Sequence, residues 1–368
     1  MGEGATVMKK IIINGIKLST TPKITGVQRV CREILIRLDK LLDDETELKF
    51  EYVYCKGANN TIINPFEFRN IVPVEMPGCG NDYIIRLFTL PKYVRKRKAI
   101  AVCVSTEVLR SKNHIACVHD LRPVIFKDYD SFHFKLTYKY LLHTVKKYSK
   151  KIVAVSDFQK NEIIKYFKIK EADKVKTIYN GWEHMKDIVP DGSIFGKYSK
   201  LKVGEYFYSL GSLAPHKNFK WILETAKRNP HCTFAIAGGK DLRNWKDNIE
   251  TDEINNVIFL GYVSDEENKA LMQNCKAFLF PSKYEGFGIP PLEALSCGAP
   301  IIISNASCLP EIYEDCAHYF DPDDYDVDLD KILRETVGNP EKILKKCSWE
   351  NAAMQWLEII KKEIMQNY

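Results

Sequence analysis

In KYEGFGIPPLEALSCGAPIIIS, residues 283–304, Glu285 and Glu293 stand with seven residues between them, among Gly286, Gly288 and the Pro290–Pro291 pair. Those breakers forbid one continuous helix. The stretch reads instead as strand, loop and helix. FLFPS ends a buried strand, KYEGFGI is the loop, and Pro291 takes a first-turn position where proline is tolerated. Glu285 then lies in the loop and Glu293 in the first helical turn, both facing one crevice. A carboxylate accepts two hydrogen bonds at once, which suits the vicinal hydroxyls of a hexose or a ribose. The Gly286 to Ile289 backbone offers N–H groups near a helix start, a setting for phosphate. Sugar, diphosphate and ribose in a row describe a nucleotide sugar. The plainer alternative makes Glu293 a helix cap and Glu285 a surface residue.

Two further places could meet an anion. In SLGSLAPHKNFKWILE a strand ends at Gly211 and Lys217 arrives just before the next helix, where an ammonium and a helix dipole can share a phosphate. In Thr25-Gly26-Val27 a glycine before a helix lets backbone N–H groups approach an anion. Each alone is ordinary turn chemistry. The run DPDDYDVDLD, residues 321–330, holds several Asp-x-Asp triplets of the kind that bind metal ions, but acidic runs are normally solvated loops, and no metal is expected.

The elements that must position these residues alternate along the whole chain. Strands are expected at KKIIING, FEYVY, AIAVCVS, HIACVHD, KIVAVS and KTIYNG, then at EYFYSLGSL, CTFAIAGG, VIFLGYV, AFLFPS and PIIISN, with amphipathic helices between. This is the α/β pattern of parallel sheets. At 368 residues, two Rossmann-like doubly wound domains are expected, over residues 8–190 and 200–345, with 346–368 a helix packing back on the first. Residues 184–204 are polar and aperiodic and read as the linker. Ligands of such sheets bind beyond the carboxyl ends of the strands, so the chemistry is expected in an interdomain cleft.

Composition narrows the class. With 45% apolar and 28% charged residues the chain is an ordinary globular protein. Residues 1–200 carry 36 Lys and Arg against 22 Asp and Glu; residues 201–368 carry 18 against 26. The halves thus meet different partners or face each other. The 11 cysteines show no Cys-x-x-Cys pair and read as reduced thiols of a cytoplasmic protein. Residues 1–7 read as a non-native leader before Met8. No apolar run approaches membrane-spanning length. The basic, aromatic segments LFTLPKYVRKRKAI and FHFKLTYKYLLHTVKKYSKK could sit on the inner face of an anionic cytoplasmic membrane, or could be solvated helices with a buried aromatic side. No nucleic-acid reading motif accompanies them.

The segment PSKYEGFGIPPLEALSCGAPIIISNASCLPEI resembles the donor-binding signature of glycosyltransferase family 4, retaining enzymes of GT-B architecture. TGVQR, HDLRP, VAVSDFQKNEI, LGSLAPHKN, VIFLGYVSDEE and SWENAAMQWLEI follow in that family's order, over most of the chain. TGVQR and PHKN look most like bacterial polysaccharide and O-antigen mannosyltransferases.

The resemblance implies that Glu293 holds the nucleotide ribose and Glu285 the donor-sugar hydroxyls. Gly286, Phe287 and Gly288 would present backbone donors, Lys217 would bind the diphosphate, and Gly26 would let phosphate approach the first helix. Tyr262 and Val263, after Gly261, would line the base. His119 matches the family histidine near the reacting carbon, and Asp120 beside it is a candidate for an acceptor hydroxyl; with Glu285 they form the expected catalytic set. Ser212 departs from the family, where an arginine commonly follows the glycine matching Gly211, leaving His216 or Arg29 as a second cation. No cofactor is implied beyond a nucleotide-sugar co-substrate, GDP-mannose by subfamily, with UDP- or dTDP-sugars open. The acceptor would be a glycan or lipid-linked glycan. A sugar-nucleotide epimerase of the same fold, or a binding protein without turnover, is the alternative.

Overall fold

The computed structural model of the chain describes residues 9–21, 24–57, 60, 62–77, 84–105, 110–126, 131–238 and 254–365. The expected leader lies outside them. The chain forms two compact units, one made by the chain up to Asn180 together with Trp349 onward, the other by Gly181–Ser348.

The first unit holds a seven-stranded parallel sheet in the order β3-β2-β1-β4-β5-β6-β7. Its strands are β1 (Lys9–Asn14), β2 (Leu48–Cys55), β3 (Ile71–Met76), β4 (Ile100–Cys103), β5 (His114–Val118), β6 (Ser149–Ala154) and β7 (Val175–Thr177). Central strands of such a sheet are covered on both faces, so they read as unbroken apolar runs. Ile11, Ile12 and Ile13 are accordingly buried, each contributing roughly 1.5–3 kcal/mol. Helices α1 (Gly26–Leu41), α2 (Leu90–Lys96), α3 (Phe132–Tyr148) and α4 (Asp157–Phe167) connect the strands. β3 is absent from the expected strands because IVPVEM carries Pro73. An edge strand tolerates a proline, and β3 is an edge. The Asp39 carboxylate fixes its start, accepting from the backbone N–H groups of Arg69, Asn70 and Ile71 at 2.9 Å each. The C-terminal helix α8 (Trp349–Met365) belongs to this unit, tied by Arg37–Glu350 at 3.0 Å and Lys361–Glu45 at 2.6 Å.

The second unit repeats the plan with six parallel strands ordered β10-β9-β8-β11-β12-β13. They are β8 (Tyr206–Leu210), β9 (Thr233–Ala237), β10 (Val257–Gly261), β11 (Ala277–Phe280), β12 (Ile301–Ser304) and β13 (His318–Phe320). Helices α5 (Phe219–Arg228), α6 (Asp265–Asn274) and α7 (Ile289–Ser296) cover the sheet. Trp221 stacks on Phe320 with ring centroids 4.0 Å apart, within a core that also buries Phe207 and Phe234. The stretch expected as a linker, 184–204, is part of this unit. Lys269 donates to the carbonyls of Met185 and Ile188 at 2.7 and 2.6 Å, and Lys197 pairs with Glu267 at 2.6 Å. Those contacts tie a polar, aperiodic segment to α6, which periodicity cannot reveal.

Candidate functional site

In both sheets the chain order reverses between the first and fourth strands, and ligands of doubly wound sheets bind at such a switch point. In the second unit it lies between β8 and β11. The loop leaving β8 runs Gly211, Ser212, a 3-10 turn Pro215–Lys217 and Asn218 in left-handed conformation before α5. The loop leaving β11 runs from Pro281 to Gly288, where φ of +86° calls for glycine. Lys217 Nζ meets Glu285 Oε1 at 2.6 Å, joining the two loops across the switch point. Both side chains are mostly buried. The Lys283 N–H donates to the His216 carbonyl at 2.8 Å, and the Glu285 N–H to Ser307 Oγ at 3.0 Å.

Helix α7 begins at Ile289, so Glu293 sits at its fifth residue rather than in its first turn. The capping alternative is excluded, since Gly288 is the N-cap and no side chain caps the helix. Proline at positions 290 and 291 removes two of the four N–H groups a helix start leaves unsatisfied, which concentrates the remaining donors at Gly288 and Ile289. The Tyr313 hydroxyl donates to the Gly288 carbonyl and fixes that turn. Phe287 is buried.

Glu293 is buried, and its Oε1 lies 2.9 Å from His184 Nε2. A carboxylate only accepts, so Nε2 carries the proton. His184 was not anticipated, because it falls in the stretch read as a linker; nothing in its local sequence marks it as a partner for Glu293. Gly238 was also missed. Gly211 N–H donates to the Ala237 carbonyl at 3.1 Å and Gly238 N–H to the Gly261 carbonyl at 2.7 Å, so a row of glycines closes the carboxyl ends of β8, β9 and β10. A Cβ on Gly238, whose φ is +96°, would fall 2.2 Å from the Gly211 oxygen. Beyond that row, Tyr262 is 80% exposed and Val263 buried, while Ser212 is exposed.

His119, Asp120 and Gly26 lie in the first unit. A cavity of about 1260 Å³ there is lined by His119, Asp120, Arg122, Lys17, Tyr138 and Phe134, among others. Gly26 opens α1 between two lining residues, Thr25 and Val27, with open space where a Cβ would stand. Among the described residues, packing does not require a glycine at that point. His119 Nε2 donates to the Val104 carbonyl at 2.9 Å, which leaves Nδ1 as the acceptor. Burial lowers its pKa to about 4, so it is neutral at physiological pH. Asp120 Oδ1 accepts from Arg122 N–H at 3.0 Å, and its carbonyl from the Tyr138 hydroxyl at 2.8 Å.

Four of the six aspartates of 321–330 make structural contacts. Asp321 and Asp324 accept from backbone N–H groups two residues on, Asp328 caps a helical turn, and Asp330 pairs with Lys276 at 2.5 Å. Among the described residues, His231, Cys232 and Asp330 bring potential ligand atoms within 4.8 Å of one another, but the Lys276 ammonium already occupies the Asp330 carboxylate.

Two parallel doubly wound units define an α/β protein of GT-B architecture, with two carboxylates and a lysine gathered about the second switch point. Residues 193–347 match the family described as glycosyl transferases group 1. The chain is 30% identical over 266 residues to the O-antigen chain mannosyltransferase RfbU of Salmonella typhimurium, covering 71% of this chain and 70% of that one. It is 30% identical over 245 residues to O-antigen chain mannosyltransferase B of Escherichia coli, covering 60% of this chain and 62% of that one, a little under two thirds of its length. Among solved structures, HepE of Anabaena in complex with UDP and glucose superposes with a TM-score of 0.69 at 16% identity, covering 96% of this chain and all of that one. Sucrose-phosphate synthase of Thermosynechococcus elongatus also gives 0.69 at 16% identity, covering 96% and 98%. The chain belongs to the group 1 glycosyltransferases.

Proposed function

We propose that the protein transfers a hexose, mannose from GDP-mannose, with retention, to a glycan or lipid-linked glycan acceptor in bacterial surface polysaccharide synthesis. The observation that carries this is the Lys217–Glu285 pair across the β8/β11 switch point, beside the buried Glu293 on α7. Glu293 takes the ribose hydroxyls, and Lys217 with the Gly288 and Ile289 N–H groups takes the diphosphate. Glu285, released from Lys217, takes the sugar hydroxyls. Cleavage of the anomeric bond leaves an oxocarbenium-like centre and a departing nucleoside diphosphate. Fixed positive charge and N–H groups at that phosphate lower the barrier. No carboxylate is assigned as nucleophile: the acceptor hydroxyl attacks from the leaving-group face and a diphosphate oxygen helps take its proton. Neutral His119, with Nδ1 as acceptor, orients a sugar hydroxyl, and Asp120 is the second candidate for the acceptor.

Mannose is supported by the names of the two curated relatives, both mannosyltransferases. UDP- and dTDP-sugars stay in the test because the HepE structure holds UDP and glucose. Membrane-surface work is supported by α3, whose Phe132, Phe134 and Leu136 are exposed, although its other side buries Leu142 and Val145 and packs Tyr138 against the core. No helix among the described residues is long and apolar enough to cross a membrane.

The test is a panel of GDP-mannose, UDP-glucose, UDP-N-acetylglucosamine, UDP-galactose and dTDP-rhamnose. It is scored by thermal shift and by nucleoside diphosphate release with and without a glycolipid acceptor extract, and repeated in EDTA. One donor should stabilise the wild type and not Glu293→Ala, with acceptor-dependent release that persists in EDTA. Release or isomerisation without acceptor would point to the epimerase reading instead.

A further inference from the structure

The end of β12 and the segment after it hold the loop that carries Glu285 along its whole length. Ser304 Oγ donates to the Ser282 carbonyl. Ser307 Oγ accepts from the Glu285 N–H at 3.0 Å, and Cys308 Sγ donates to the Glu285 carbonyl at 3.4 Å. Further on, the Tyr313 hydroxyl donates to the Gly288 carbonyl. Two consecutive side chains thus grip the two peptide groups that flank the Glu285 Cα. Cys308 is fully buried, and burial pushes its thiol well above the ordinary range, so it stays protonated and able to donate. Ser307 makes its bond from an unfavourable backbone. Its φ is +54°, a conformation that glycine adopts freely and serine only at a cost. The other described non-glycine residues with positive φ have ordinary reasons. Asn60 and Asn218 are asparagines, and Lys98, Lys168 and Glu314 stand just past the ends of α2, α4 and the short helix Leu309–Tyr313. Ser307 is not an asparagine and precedes its helix instead of ending one.

We infer that Ser307 is a positioning residue for Glu285, its hydroxyl fixing, with the Cys308 thiol, the Cα from which that carboxylate reaches the donor sugar. This rests on the assignment of Glu285 to the sugar hydroxyls. The plainer account is that the hydroxyl only satisfies a half-buried N–H. Folding alone, however, favours glycine at that φ, so the hydroxyl carries weight beyond stability. Gly286 and Gly288 give the loop little stiffness of its own, and an outside hold therefore decides where the carboxylate can reach. A hydrogen bond weakens steeply outside a narrow range of distance and angle, so a shift of about 1 Å loses most of it.

The test compares Ser307→Gly with Ser307→Ala. Both lose the hydroxyl, but only glycine also relieves the strain. Ser307→Ala should lower the thermal midpoint by roughly 2–4 °C, and Ser307→Gly should leave it near that of the wild type. Calorimetry with GDP-mannose against GDP, and with UDP-glucose against UDP, reads the sugar's share of binding. With the pair that binds, both variants should lose roughly three- to tenfold in affinity for the sugar nucleotide and nothing for the nucleoside diphosphate. Glu285→Gln should lose at least as much, and adding Ser307→Gly to it should cost nothing further, because the serine acts through that carboxylate. A purely structural serine gives another pattern, with sugar affinity following the midpoint: alanine impaired, glycine like the wild type. That pattern, or additive losses in the double variant, overturns the inference and leaves Glu285 on the sugar. Sugar affinity unchanged in Glu285→Gln overturns the Glu285 assignment and this inference with it, as does a wild type that binds neither sugar nucleotide.

Discussion

Glu293→Gln separates the charge of that side chain from its shape. The carboxylate is 9% exposed and held 2.9 Å from His184 Nε2. Glutamine matches its volume, and its carbonyl can still accept the His184 proton, so the fold should tolerate the change. What disappears is an anion able to accept from two ribose hydroxyls, one oxygen being replaced by an NH₂ donor. A hydrogen bond to a charged group is worth about 1.5–3 kcal/mol net. Losing one therefore weakens ribonucleotide binding roughly ten- to hundredfold, at about 1.4 kcal/mol per tenfold. Calorimetry with a ribonucleoside diphosphate and its 2′,3′-dideoxy analogue, on wild type and variant, reads this directly. Wild type should prefer the ribonucleotide by that factor, and the variant should barely distinguish the two. Equal wild-type affinity for both ligands would falsify the assignment of Glu293 to the ribose, whatever the variant does. His184→Phe is the companion: it strands a buried carboxylate, at about 1–3 kcal/mol of stability, and should disorder the same contact.

Three further outcomes are expected. Lys217→Ala should cut nucleoside diphosphate affinity by roughly tenfold or more, since charge-assisted bonds to phosphate are the strong ones, yet spare binding of the nucleoside; parallel losses of both would show that the substitution only unsettles Glu285. Gly238→Ala should lower the urea midpoint of the second unit by the equivalent of about 1–3 kcal/mol, because it sets a Cβ against the Gly211 oxygen at positive φ; an unchanged midpoint would show that the row of glycines can relax. His114 opens β5 and His119 follows it, and burial lowers the pKa of each to about 4, below the ordinary 6.5. The unfolded chain takes up those protons first as pH falls. Stability is thus highest above pH 6.5, falls by roughly 3 kcal/mol for each histidine between 6.5 and 4, and changes no further on their account below 4. Hydrogen-exchange protection of β5 amides, corrected for intrinsic rates, should drop over that window, and flat protection would argue against buried neutral imidazoles.

What the sequence makes legible is what periodicity and steric rules encode. Strands buried on both faces, such as IIIN and HIACV, announce themselves as apolar runs, and Gly288 with two prolines can only be a loop entering a helix. Glu285 and Glu293 stand out for the same reason, since the breakers around them fix their element. β3 escapes because Pro73 contradicts strand propensity wherever the strand's edge position is unknown. His184 escapes more completely. Its partner is 109 residues away, and the segment carrying it has no period because lysine-to-carbonyl bonds, not an apolar face, attach it to α6. Gly238 is visible as a residue but not as a requirement, because the clash that demands it comes from a neighbouring strand. The pattern is physical. Sequence displays the ligand-facing residues that local geometry constrains, while the groups that hold them in place are fixed by tertiary contacts and appear only in the fold. Lys217 and Glu285 show the two levels meeting. Each is readable alone as a candidate phosphate or sugar ligand, but only the structure shows the 2.6 Å pair between them. On the roles proposed above, phosphate at Lys217 would compete with Glu285 for the ammonium and free that carboxylate for the sugar, coupling recognition of the two halves of the donor.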